Sequence, residues 1–179
     1  SKMFDSIQVN NDEEKGSCTI RLHLAEGQEL WGYQVEYSEG NLYLKCKTPP
    51  TLSSNSSKPL QGISVVLDAG HGGSDQGAMS VWGAQGPMEK DITLAYAQSL
   101  RRRLESLGAE VSLTRSDDST MDEEDRILYS AYKDADLYLS FHGTATESNV
   151  NGQAVSGLSV YYDNEMSYDL GRLLYRQLA

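Results

Sequence analysis

A chain of 179 residues has room for one full domain, or for one domain and a small extra module. Its net charge of −11 tells against nucleic acid as a partner, because phosphate binding needs a basic face. With 39% apolar residues it can build an ordinary core, and it has no apolar run long enough to cross a bilayer. The opening Ser-Lys-Met-Phe-Asp lacks the apolar stretch of a signal peptide. Cys18 and Cys46 have no CxxC spacing, so neither a thiolate metal site nor a redox motif is indicated. They read as free thiols, with one disulfide as the alternative.

Residues 1–48 read as a small all-β module. Thr19 to Leu24 alternates with period two, placing Ile20, Leu22 and Leu24 on one face and His23 with Arg21 on the other, where His23 is an exposed strand residue. Leu30 to Tyr37 alternates less cleanly. Glu39-Gly40-Asn41 is a hairpin turn, followed by a strand with Leu42, Leu44 and Cys46 on one face. A meander or half-sandwich is expected. Its aromatic residues have two readings, ordinary strand core and a glycan-gripping surface. Residues 49–62, rich in Pro and Ser, read as a linker.

From residue 63 to 179 strands alternate with helices, which predicts an α/β fold with a mostly parallel sheet flanked by helices. Ile63 to Ala69 is a buried strand. A glycine-rich loop follows. Asp91 is a candidate cap for a helix with Ile92, Ala95, Leu100, Leu104 and Leu107 at helical spacing, and Gly108 ends it. The cluster Arg101-Arg102-Arg103 reads as its solvated side. Strands are expected at 109–114, 136–141 and 158–162. Helices are expected at 122–134, with Ile127, Leu128 and Ala131 inward, and from Ser167 to Leu178.

Two histidines occupy equivalent places. His71 follows the first of these strands and His142 follows the third, and in a parallel sheet those ends share one edge, where α/β folds build their sites. Glu89 precedes the first helix. Two imidazoles and a carboxylate make a common catalytic zinc set with an open fourth position. Taken alone, Glu89 also reads as a helix-start carboxylate favoured by the macrodipole. Asp68 and Asp75 flank His71; either could orient it, or cap the glycine loop through Asx turns. Ser140 has no histidine left over to serve it, which disfavours a serine triad. There is no HExxH pair, which tells against another kind of zinc peptidase.

The string Leu67-Asp-Ala-Gly-His-Gly-Gly-Ser-Asp-Gln-Gly-Ala78 resembles the opening motif of zinc-dependent N-acetylmuramoyl-L-alanine amidases of the Amidase_3 type. The resemblance continues through Glu89-Lys-Asp-Ile-Thr-Leu94, Val111-Ser-Leu-Thr-Arg115, Arg126 and Ala135 to His142. It implies zinc ligands at His71, Glu89 and His142, with peptidoglycan as substrate. The bond cut would be the amide between N-acetylmuramic acid and L-alanine of the stem peptide, and the location extracellular or cell wall. Arg115 and Arg126 match family positions, and are expected to brace sheet and helix through carboxylates. The sequence departs from the family at His142-Gly143-Thr144, where a small residue and then Asn or Asp is usual. The family's catalytic glutamate lies on a later strand, so the domain reads as lacking its C-terminal part. Glu147 and Glu165 do not fit that position, and no general base is assigned. The alternative reading is a non-catalytic wall-binding protein that keeps the fold and the metal site without the glutamate.

Overall fold

The computed structural model describes residues 3–80, 82–144 and 156–179. The chain divides into two compact units. One runs to Pro49 and takes in Gly157–Ala179; the other is Pro50–Ser156.

In the first unit, β1 (Phe4–Asp12) pairs antiparallel with β2 (Ser17–Leu24), and β3 (Gly32–Ser38) with β4 (Asn41–Lys47). These are two separate two-stranded sheets rather than one meander. Strand β1 escapes the sequence reading because Asn, Asp and Gln interrupt its few apolar residues. The second hairpin turns through Glu39 and Gly40, both at positive φ (50° and 77°), as a two-residue type I′ loop requires. Each hairpin keeps one apolar face. Those faces approach at a groove lined by Phe4, Leu22, Leu24, Tyr33, Leu44 and Cys46. Both cysteines are free thiols, and partial burial pushes the Cys46 thiol up from its ordinary value. His23 is exposed on its strand, as its face predicts. Helix α3 (Tyr168–Leu178) completes this unit. Leu158–Tyr162, expected as a strand, has no ladder partner among the described residues; Val160 and Tyr162 instead lie against buried Gly171 of α3.

The second unit is built on a three-stranded parallel sheet in the order β6-β5-β7, formed by β5 (Ser64–Ala69), β6 (Glu110–Leu113) and β7 (Leu137–Phe141). Both faces of β5 are shielded, which is why it is an almost unbroken apolar run. Val65, Leu67 and Ala69 pack with Val111 and with Ala97 of α1 (Glu89–Ser106). The inward face of α1 is apolar at its C-terminal end, through Ala97, Leu100 and Leu104. At the other end it is polar, through Glu89, Lys90 and Thr93, so Ile92 and Ala95 face outward. The helix starts at Glu89, two residues before the expected cap, and Met88 takes the N-cap position. Helix α2 (Glu123–Tyr132) buries Arg126, while Ile127 and Leu128 are 65% and 63% exposed, against expectation.

The expected linker is docked at its end. Leu60 donates its N–H to the Leu107 carbonyl and packs on the core.

Candidate metal centre

Because β5 is central, with β6 next in the chain on one side and β7 on the other, the carboxyl end of β5 is a switch point of the sheet. His71 lies two residues beyond the end of β5, His142 directly beyond β7, and Glu89 on the first turn of α1. The structure brings all three together, with one ligand atom from each within 4.8 Å of the others. His71 Nε2 lies 2.9 Å from Glu89 Oε1, and His142 Nδ1 lies 3.3 Å from the same oxygen and 3.2 Å from His71 Nε2. The two rings meet edge to face, 4.9 Å between centroids.

Glycine makes this approach possible at two positions. A Cβ on Gly70 would run into the His142 ring, and a Cβ on Gly77 would stand 2.6 Å from His71 Cδ2 and 2.7 Å from Glu89 Oε2. Gly77 is also at φ +68°, which other residues adopt with difficulty.

The carboxylate of Glu89 is buried and fully engaged. Its Oε2 accepts the Ala78 N–H at 2.7 Å and its Oε1 the Gly143 N–H at 2.5 Å. Burial alone would raise this carboxyl; those two N–H groups and His71 outweigh it and hold the group below its ordinary range. On the far side of His71, Nδ1 lies 2.8 Å from Asp75 Oδ2. A carboxylate accepts only, so the proton belongs on Nδ1 and the lone pair on Nε2. The hydrogen bond from His71, with a second from the Gly77 N–H, depresses the Asp75 carboxyl. Asp75 thus both orients the imidazole and closes an Asx turn.

The other aspartate does neither. Asp68 is buried, and accepts from Thr114 Oγ1 (2.6 Å), Arg126 Nη1 (2.6 Å) and Ser140 Oγ (2.5 Å). Burial of Tyr138, with the charge of Asp68 beside it, pushes the Tyr138 hydroxyl up.

Arg115 and Arg126 brace carbonyl oxygens more than carboxylates. Arg126 is paired with Asp68, but it also donates to the carbonyls of Ala69 (2.7 Å), His71 (2.8 Å) and Met121 (2.9 Å). Arg115 donates to those of Ala69 (2.8 Å), Gly70 (3.0 Å), Lys90 (2.7 Å) and Asp117 (2.9 Å). Thr93 Oγ1 also reaches Gly70 O (2.8 Å), Thr120 Oγ1 reaches Gly72 O (3.1 Å), and Lys90 Nζ, paired with Asp118, reaches Gly73 O (2.7 Å). Every carbonyl from Ala69 to Gly73 is therefore held by a side-chain donor. Sequence reasoning missed Thr93, Thr120 and Lys90 in this role. Their apolarity pattern carries no trace of it; the one signal was a loop too rich in glycine to hold its own shape.

Glu147 lies outside the described residues. Glu165 opens a short 3-10 turn in the first unit.

Residues 65–179 match the family model described as N-acetylmuramoyl-L-alanine amidase, Amidase_3. The chain belongs to this amidase family. It is 47% identical over 108 residues to a probable cell wall amidase, LytH, of Staphylococcus aureus. That match covers 60% of this chain and 34% of the relative, so the chain spans about a third of the relative's length. Two solved amidases share the fold. The catalytic domain of CwlV from Bacillus (Paenibacillus) polymyxa var. colistinus superposes with a TM-score of 0.57 at 30% identity, over 64% of this chain and 61% of that one. AmiC2 of Nostoc punctiforme gives 0.56 at 30% identity, over 63% and 58%. The amidase match runs to Ala179, and so includes the segment Gly157–Ala179 that is grouped with the first unit.

Proposed function

We propose that the protein acts in peptidoglycan hydrolysis at the cell wall, cutting the amide between N-acetylmuramic acid and L-alanine of the stem peptide, with a zinc ion held by His71, Glu89 and His142. The observation that carries this reading is the convergence of the three side chains. Two imidazole nitrogens and a carboxylate oxygen stand 2.9 to 3.3 Å apart, close enough for all three to hold one cation. Those spacings are close to the edge of about 3.3 Å between ligands of a tetrahedral zinc site with bonds of about 2.0 Å. The donor set therefore fits zinc.

A zinc ion bound there would polarise the scissile carbonyl and lower the pKa of water toward neutrality. This chain's own residues prepare that chemistry. Asp75 keeps the His71 proton on Nδ1, which leaves Nε2 free to ligate. The Ala78 and Gly143 N–H groups hold Glu89 ionised and fixed. The His142 side chain is 53% exposed, so this ligand is open to solvent.

The test is zinc content and muropeptide cleavage in the wild type and in His142→Ala. Loss of both in the variant is expected. Cleavage that persists in His142→Ala would sink the reading. Zinc retained by a wild type that frees no stem peptide would favour the non-catalytic, wall-binding alternative instead.

A further inference from the structure

His71 is the ligand in the least favourable backbone conformation. Its φ is +62°, in the left-handed region that side chains with a Cβ rarely adopt. Such a conformation persists only where its surroundings impose it, and the glycines on both sides of His71 impose nothing. One group that grips His71 from outside the loop is on another element. Arg126, buried on α2, donates one nitrogen to the His71 carbonyl at 2.8 Å. Its other terminal nitrogen spans the Ala69 carbonyl and the Asp68 carboxylate, at 2.7 and 2.6 Å, and its Nε is fixed on Met121 O. The planar fork thus ties the last turn of β5 to the ligand residue in one rigid piece.

We propose that Arg126 is a positioning residue for the metal centre. By gripping the His71 carbonyl it holds the backbone left-handed, and so aims Nε2 at Glu89 and His142 before any ion arrives. This rests on the reading of the trio as a metal site. Lysine is not equivalent, since its compact ammonium lacks the rigid planar fork whose separate nitrogens reach Met121 O, His71 O, and Ala69 O with Asp68.

The test is metal affinity, measured on the 179-residue chain by competition with a chromophoric chelator, with zinc and with cobalt(II) as probes. Arg126→Ala and Arg126→Lys are both expected to bind about 10- to 100-fold more weakly, as for loss of other groups that orient a metal ligand. The visible cobalt spectrum should change with them, and millimolar guanidinium should restore both affinity and spectrum in Arg126→Ala. Leu104→Ala, which loosens the core from α1, is the comparison for general destabilisation. Wild-type affinity and spectrum in Arg126→Lys would overturn the proposal while leaving the metal site standing, and so would an equal loss of affinity in Leu104→Ala. A wild type that binds neither ion would remove the metal site itself, and this inference with it.

Discussion

Asp75 and Glu89 face opposite nitrogens of the same imidazole: Asp75 Oδ2 is 2.8 Å from His71 Nδ1, and Glu89 Oε1 is 2.9 Å from His71 Nε2. The two carboxylates are not equivalent. Glu89 is buried, whereas Asp75 is 59% exposed and touches the centre only through the ring. Asp75→Ala should therefore leave the fold intact and free the ring to rotate. Zinc affinity is expected to fall about 10-fold or more, with a thermal midpoint within a few degrees of wild type. Titration calorimetry and a melting curve on the same sample check both halves; unchanged affinity would show that the glycine loop alone orients His71.

Gly77 offers a sharper test of how tightly the centre is built. Gly77→Ala places a methyl group against both His71 and Glu89, at a residue whose φ of +68° already disfavours it. Two of three ligands must shift, and metal binding should be lost. Gly83→Ala is the control, because Gly83 also has positive φ (61°) but open space around its Cβ position. It should cost about 1 kcal/mol of backbone strain and leave the metal site intact. Chelator competition on the pair separates crowding from strain.

The contrast between α1 and α2 shows where the sequence was legible. Strand β5, the glycine loop and the trio stood out because a buried parallel strand is a continuous apolar run and its loop must turn sharply. The inward face of α1 was misplaced because Glu89, Lys90 and Thr93 are inside for hydrogen bonding, which no apolar period reports. The converse error fell on α2. Ile127 and Leu128 look like a core face, yet among the described residues the helix is fixed by Arg126. The role of the Arg126 guanidinium is written in contacts 55 to 58 residues away in the chain. A charged residue in the sequence does not say which carbonyls it will meet.

A stability prediction follows from that contrast. Leu128→Ser should change unfolding free energy by less than about 0.5 kcal/mol, as for other exposed positions. Leu104→Ala, which empties space against the core cluster, should cost about 2 kcal/mol or more. Urea unfolding followed by circular dichroism measures both. A large cost at Leu128 would mean that the α2 face is covered in solution.

Acid should act on the second unit through Asp68. Burial alone would raise its carboxyl, but the hydrogen bonds from Ser140, Thr114 and Arg126 outweigh burial and hold it below the ordinary range. A carboxylate depressed in the folded state contributes stability that is fully present above its unfolded value, about 3.9, and that is lost as pH falls through the folded value. The wild type should therefore lose stability steeply below about pH 4. Asp68→Asn should be weaker at neutral pH by about 3 kcal/mol, because Arg126 is left buried without its counter-charge. Below about pH 4 its stability should change less with pH than that of the wild type, since the group that titrates is gone. Urea midpoints for both proteins, measured from neutral pH down to about pH 2, give the two slopes directly. Parallel curves would assign the acid sensitivity to other carboxylates, and an unchanged midpoint at neutral pH would show that the Asp68–Arg126 pair is not what ties α2 to the sheet.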